Sequence, residues 1–514
     1  MLFIQLIFIT ASLIYGSDSA RILAYIPTPS YSHQVVFQPL WKELSLRGHN
    51  VTVLTTNPVG DLSLTNLTEV DMSFSYAKVT RNVLELIDAS PLVFVKKYID
   101  MFNELFAEQL EHPSVQKALD DSSVGYDLVI VENLLPAPFA IAEKFKCPFI
   151  GISSLAAPEA LYRSVGVPSH PIVYPDVLLP FITTDTLLKR IGSVMFSIFT
   201  KALEYYVESS EEYLVKKYFG DNYPPLSAIT KNLSLLLVNS DPILDTVRPL
   251  LPVVVSVRGI HRIPPKPLPK DLKEVLDSAT NGFIYFSLGS NMKSKDIPVE
   301  LLNEIIATFS ELPYTILWKF ETDFPNMPKN VHISKWLPQG DVLKHPNIKL
   351  FITQGGLQSM EEAIFEKVPM IGIPIFADQP VNVVRMVHKG FGLGLDYKTL
   401  KKDDLKKTIL EVITNPVYKR NITRISDLLQ DQPMTGLERA VWWTEYVIRH
   451  KGTTHLRSPV LDLPWYQYYL LDVIGITLLV LTLLIYVVVL SWRLFWKVIR
   501  VLGFSTSIGK QKTS

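Results

Sequence analysis

The sequence predicts an α/β protein of two parallel-sheet domains followed by one membrane-spanning helix. Three observations carry that expectation. Residues 21–56 alternate apolar strand, helix pattern and apolar strand. Residues 336–379 do so again, with Gly355-Gly356 at the first turn. Residues 473–492 form a run of twenty without a charge, enough to span a bilayer.

At 514 residues the chain is too long for a single core, so two major domains are expected. Fifty Lys and Arg balance fifty Asp and Glu, so no global field favours nucleic acid or an acidic partner. The single cysteine, Cys147, excludes an intrachain disulfide and a cysteine-rich zinc site. The histidines and acidic residues show no ligand spacing, so no metal is implied.

Residues 1–15 are uncharged and mostly apolar, and Gly16, Ser17 and Ser19 follow. This is the pattern of a secretory signal cleaved near residue 16. Residues 21–27 (RILAYIP) are strand-like and end at a loop. His33 opens a helix pattern through Leu46, and residues 51–56 are the next strand, completing a βαβ unit. Two readings of His33 stay open. It is a helix-start polar group facing water, or a cleft-facing imidazole that the helix N-terminus keeps neutral and able to accept a proton.

Residues 91–110 are helix-like, and their aromatics, Phe94, Tyr98, Phe102 and Phe106, suit core packing. Residues 126–131 (YDLVIV) form a buried strand ending at Glu132, a carboxylate placed to partner His33 or to be solvated. Residues 148–152 and then Ser153-Ser154 repeat the strand-to-loop pattern. Frequent prolines from 158 to 180 predict a loop. Residues 187–218 read as long amphipathic helices with Phe196, Phe199, Leu203, Tyr206 and Tyr213 on one face. That face suits a lipophilic substrate, a core or a membrane surface. Residues 234–239 close the first sheet.

Four prolines among charges make residues 257–271 an interdomain linker. Residues 283–288 (FIYFSL) start a second sheet, turned by Gly289-Ser290-Asn291, and residues 315–320 and 331–334 continue it. Then an apolar strand (348–353), a helix (357–365) and an apolar run (370–375) carry polar groups only where strands meet loops. Ligands of parallel α/β sheets bind at those C-terminal strand ends. Gly355 and Gly356 allow close backbone approach, and the following helix N-terminus offers N–H groups to an anion. The stretch therefore predicts a site for a phosphate-bearing ligand. Residues 401–414 and 425–450 are expected to be helical.

Aromatics flank the apolar run of residues 473–492: Trp465, Tyr466, Tyr468 and Tyr469 before it, Trp492 and Trp496 at its end. Arg493, Lys497, Arg500, Lys510 and Lys512 lie beyond, which predicts a cytosolic tail and a lumenal body. Lys510 and Lys512, fifth and third from the end, match a dilysine retrieval signal read by coat proteins. Asn50, Asn66, Asn232 and Asn421 begin glycosylation sequons.

Residues 336–379 resemble the signature of the membrane-bound UDP-glycosyltransferases of the endoplasmic reticulum. Residues 283–291 support the match, as do His455-Leu456-Arg457, Asp462-Leu463 and Trp465-Tyr466-Gln467-Tyr468. The resemblance covers nearly the whole chain. It implies the GT-B fold, two Rossmann-like domains facing across a cleft. Residues 17–256 would bind the acceptor and residues 272–450 the UDP-sugar. A juxtamembrane segment (451–472), a membrane helix (473–492) and a cytosolic tail (493–514) would follow.

The resemblance also assigns roles. Trp336 would stack on uracil, with Leu337 and Gln339 near the base edge. Glu362 would hold the ribose. Ser290, Asn291, Gly356 and Ser359 would surround the diphosphate, and Asp378 and Gln379 would bind the sugar hydroxyls. His33 would be the base and Glu132 the acid that orients it. Two positions depart from the family pattern. Gln354 stands where histidine is usual, and its amide donates a hydrogen bond but carries no charge. Glu132 stands where aspartate is commoner. The form TQGGLQS resembles the arthropod branch, whose usual donor is UDP-glucose.

The implied activity is metal-independent, inverting transfer of a hexose from a UDP-sugar co-substrate to a hydroxyl of a small lipophilic acceptor, as in detoxification. No bound cofactor is implied, and the oligomeric state is open. A nicotinamide dehydrogenase is disfavoured because no G-x-G-x-x-G follows the first strand. A catalytically impaired lipophile-binding membrane protein that retains the sugar-nucleotide domain is the remaining alternative.

Overall fold

A computed structural model describes residues 19–78, 91–120, 125–264, 266–290, 297–321 and 327–508. The expected signal segment, Asn291, Lys510 and Lys512 lie outside the described residues.

The first sheet contains β1 (Arg21–Ile26), β2 (Asn50–Thr55), β3 (Leu67–Asp71), β4 (Leu128–Glu132), β5 (Phe149–Ser153), β6 (Leu235–Val238) and β7 (Val254–Ser256). Its order is β3-β2-β1-β4-β5-β6-β7, and every pairing is parallel. The central strands β4, β5 and β6 are buried along their whole length, as a sheet covered on both faces requires. The second sheet contains β8 (Phe283–Ser287), β9 (Thr315–Lys319), β10 (Val331–Ser334), β11 (Ile348–Thr353), β12 (Met370–Gly372) and β13 (Gly392–Gly394). Its order is β10-β9-β8-β11-β12-β13, again parallel throughout. Both sheets are doubly wound. The order reverses between β1 and β4 in the first and between β8 and β11 in the second.

The structure differs from the sequence reading at several elements. The helix expected from His33 to Leu46 is two helices, Tyr31–Val35 and Gln38–Leu46. Pro39 sits in the first turn of the second, where a missing N–H costs nothing. β6 does not close the first sheet, because β7 adds to it. The expected linker is buried at its start: Val257, Arg258 and Ile260 are each at most 7% exposed. Arg258 bonds Asp245 at 2.8 Å and Glu361 at 2.6 Å, so this segment joins the two halves through charge.

The region expected as one helix from 425 to 450 is split into Pro416–Gln430 and Gly436–His450. A capping box between Thr435 and Glu438 starts the second. Its Ala440, Val441 and Val447 pack into the core of the first sheet rather than the second. Gly436 makes this possible, since a Cβ there would collide with the carbonyls of Val257 and Arg258.

The last segment is described by itself. A helix, Leu471–Ile508, runs past the charge boundary expected to end it at residue 492. Its stretch Leu471–Leu502 is long and apolar enough to cross a membrane.

Candidate active site

The two reversals of strand order create two crevices beyond the C-terminal strand ends. Into the first, the loop after β1 brings Thr28, Tyr31 and His33, and β4 ends at Glu132. His33 Nδ1 lies 2.6 Å from Glu132 Oε1. Glu132 is fully buried, and the Thr28 hydroxyl donates to its other oxygen at 2.5 Å. Ser154, one residue past β5, places its Oγ 2.9 Å from the same Nδ1. An Nδ1–H donated to the carboxylate leaves Nε2 as the unprotonated atom of the neutral ring.

The electrostatics correct one expectation. The sequence suggested that a helix N-terminus keeps the imidazole neutral. His33 instead lies inside a one-turn helix, and its pKa is raised. Burial pulls it down, but the charge and hydrogen bond of Glu132, with a smaller push from Asp378, outweigh burial. Asp378 belongs to the second half, so the two crevices lie close enough for its charge to act on His33.

The second crevice is built from backbone and amides. Gly289 after β8 has φ +80° and Gly355 after β11 has φ +86°, both in the left-handed region. The Gln354 amide packs against Gly289, where no Cβ would fit. The Thr353 hydroxyl donates to Gln354 Oε1 at 3.2 Å. Lys319 Nζ donates to the Gly289 carbonyl at 2.6 Å, holding the turn from the neighbouring strand. Ser290 is half-buried in that turn. Gly356 is the extended N-cap of the helix Leu357–Phe365.

One helical turn apart on that helix, Ser359 and Glu362 share a face. Gln339 Nε2 donates to both, at 3.0 Å and 2.7 Å. Burial raises the Glu362 pKa to about 7, against the pull of the Gln339 bond. Asp378 accepts from Asn382 at 2.6 Å, and burial raises its pKa although Asn382, the Leu357 N–H and His33 pull it down. Ala377, just before it, holds a left-handed φ of 56°. Gln379 spends its amide oxygen on the N–H groups of Ile375 and Phe376, at 2.8 and 3.1 Å, which braces this loop. Leu337 is 5% exposed and packs in the second core.

Trp336 is 55% exposed and meets Tyr31 of the first half edge-on, with ring centroids 5.0 Å apart. The structure thus gathers His33 and Glu132 on one side and Trp336, Gln339, Gln354, Ser359, Glu362 and Asp378 on the other. Sequence reasoning missed the supporting residues Thr28, Ser154, Lys319 and Asn382, and it missed Tyr31. Ser154 carried a usable signal, because it directly follows the strand next to the one ending at Glu132. Among the described residues, no group of three or more His, Cys, Asp or Glu could hold a metal.

The family model described as UDP-glucoronosyl and UDP-glucosyl transferase matches residues 21–503. UDP-glycosyltransferase UGT5 of Dactylopius coccus is 34% identical, covering 100% of this chain and 99% of its own. The ecdysteroid UDP-glucosyltransferase of Spodoptera littoralis nuclear polyhedrosis virus is 33% identical over 89% of this chain and 94% of its own. Among solved structures, the glycosyltransferase SnogD from Streptomyces nogalater superposes with a TM-score of 0.58 at 17% identity. That match covers 84% of this chain and 100% of SnogD. The two facing doubly wound domains are the GT-B fold.

Proposed function

Because the chain belongs to the UDP-glucuronosyl and UDP-glucosyl transferase family and is a UDP-glycosyltransferase, we propose that it moves glucose from UDP-glucose to a hydroxyl of a small lipophilic acceptor, with inversion. One observation carries the mechanism: the His33–Glu132 contact of 2.6 Å at the first crevice, within reach of the charge of Asp378. Glu132 fixes the tautomer through Nδ1, so Nε2 takes the acceptor proton as the acceptor oxygen attacks the anomeric carbon. The new C–O bond forms as the bond to the diphosphate breaks, and UDP leaves with the electron pair. The N–H groups at the start of the helix Leu357–Phe365, the Gln354 amide, Ser290 and Asn291 meet the developing phosphate charge.

In this reading Trp336 stacks on uracil, Glu362 takes the ribose hydroxyls, and Gln339 positions Glu362 and Ser359. Asp378 binds the sugar, with Gln379 and Asn382 holding its loop. The dyad contact argues against a catalytically impaired binding protein. The choice of glucose rests on the glucosyltransferase relatives and on the TQGGLQS form. The viral relative's name gives it an ecdysteroid acceptor, a lipophilic alcohol in keeping with the acceptor class.

The apolar helix Leu471–Leu502 would anchor the protein in the endoplasmic reticulum membrane with the catalytic domains lumenal. Coat-protein recognition of Lys510 and Lys512 would retain it there. Residues 17–256 would serve as the acceptor domain and 272–450 as the donor domain, the helix Gly436–His450 returning to the first.

The test is a panel of α-linked UDP-sugars with phenol and sterol acceptors, reading product mass and the anomeric proton coupling. A β-glucoside from UDP-glucose is expected. An α-glucoside, or transfer only from UDP-glucuronic acid, would overturn the mechanism or the donor assignment respectively.

A further inference from the structure

The ring contact between Tyr31 and Trp336 joins the two halves of the cleft at a place that the family roles leave unassigned. Tyr31 is the first residue of the one-turn helix Tyr31–Val35, which also carries His33. Its ring meets the Trp336 indole at an interplanar angle of 84° with centroids 5.0 Å apart, an edge-to-face pair. The contact leaves much surface open: Tyr31 is 37% exposed and Trp336 55% exposed. The contact therefore leaves more than half of Trp336 accessible. Lys319, whose ammonium lies 5.4 Å from the Trp336 ring centre, stands on the donor side of the same platform.

The Tyr31 hydroxyl also senses the charge of the donor half. Its pKa is raised, by burial first and by the charge of Glu362 second. Tyr76, which itself donates to Asn57 Oδ1 at 2.6 Å, feels the Tyr31 oxygen in turn. Tyr31 thus touches the proposed base platform, Trp336, and feels the charge of the proposed ribose ligand, Glu362. Both of those belong to the donor half, whereas Tyr31 belongs to the acceptor half.

We propose that Tyr31 is a donor-recognition residue supplied by the acceptor domain: it forms the second wall of the uridine site, facing Trp336. This rests on the donor-site reading given above and deepens it. A wall on the same helical turn as His33 ties donor occupancy to the placement of the base. Such a wall also limits the size of the base that the platform accepts, which favours a pyrimidine over a purine.

The full-length protein in detergent, carrying Tyr31→Ala, Tyr31→Phe or Trp336→Ala, tests this through UDP and ADP binding by calorimetry and through steady-state kinetics. Tyr31→Ala is expected to weaken UDP binding and raise the UDP-glucose KM by about tenfold, the loss of one stacked or edge-packed aromatic contact. The acceptor KM stays in place, and the preference for UDP over ADP shrinks. Tyr31→Phe keeps the ring and is expected to lose about threefold, the share of one hydroxyl. A melting temperature for each variant without nucleotide separates folding loss from binding loss, and Tyr31→Phe serves where Tyr31→Ala fails to fold.

UDP affinity and UDP/ADP preference unchanged in Tyr31→Ala, with Trp336→Ala impaired, would overturn the proposal and leave the donor site standing. Tighter UDP binding in Tyr31→Ala would also overturn it, by making Tyr31 a competitor of the base. Wild-type binding that Trp336→Ala does not weaken would overturn the donor-site reading and the proposal together.

Discussion

The two crevices of this protein are the same place in the same topology, yet they are furnished differently. Each lies where strand order reverses, between β1 and β4 or between β8 and β11. The first holds an ionisable pair, His33 and a fully buried Glu132, braced by two hydroxyls. The second holds two left-handed glycines, an amide side chain and a helix start. A proton-transfer site needs a titratable group with its tautomer fixed. A diphosphate site needs close backbone approach and N–H donors. The sheet supplies the location, and the few residues after each strand supply the chemistry.

Substitutions that act on one crevice alone sharpen this contrast. After loss of His33 itself, the largest effect is expected from Glu132→Gln, which keeps the volume and removes the charge. Turnover should fall by about a hundredfold, within the range for general acid–base groups. The pH profile supplies the sign. The raised His33 pKa means that the base is free only as pH rises through a value above 6.5, so the rate climbs across that value. Removing Glu132's charge leaves burial, which lowers the pKa, so the acid limb should move to lower pH. The same raised pKa stabilises the fold at pH values below the unfolded value and loses that contribution as pH rises through the native one. Initial rates from pH 5 to 9 check both claims, and an unmoved acid limb in the variant would contradict them.

Next comes Gly289→Ala. It places a Cβ against the Gln354 amide at a φ of +80°, a conformation costing an L-residue about 1–2 kcal/mol. The alanine turn relaxes out of this conformation and diphosphate binding must restore it, so the UDP-glucose KM should rise by about tenfold, with no change in the pH profile. Gln354→Ala acts on the same turn. A hydrogen bond from its neutral amide to a charged phosphate contributes about 1.5–3 kcal/mol, so UDP affinity should fall by roughly tenfold or more. Unchanged UDP affinity would mean that Gln354 does not reach the diphosphate.

The contrast extends to what the sequence made legible. β11 and the helix Leu357–Phe365 match the sequence reading to the residue, because an apolar run, a Gly-Gly turn and a 3.6-residue period mark each boundary. β3, β7 and β13 escaped. β3 is a half-exposed edge strand (LTEVD) and β13 is Gly-Leu-Gly, so neither carries a strand pattern. β7 lies in the Val-rich run of residues 253–257, a usable signal that the sequence reading passed over beside the proline-rich stretch. The break after Val35 escaped because the apolar spacing continues through it.

At the site, His33 and Glu132 were legible as strand-end residues. Their partners were not, because chain-distant packing sets those contacts. Gln358, for example, donates to the Ser154 carbonyl at 2.9 Å from the opposite half. The buried Arg258 cluster is of the same kind. No local period announces that a proline-rich stretch begins with an arginine shared by Asp245 and Glu361.

The division of labour between the crevices is tested most directly by one crossed measurement. UDP affinity and turnover at saturating UDP-glucose are determined side by side for His33→Ala and Trp336→Ala. The account predicts that His33→Ala loses about a hundredfold or more in turnover with UDP affinity unchanged. Trp336→Ala should lose roughly tenfold or more in UDP affinity while retaining turnover once saturated. Near-normal turnover in His33→Ala, or equal losses of both quantities in both variants, would contradict it.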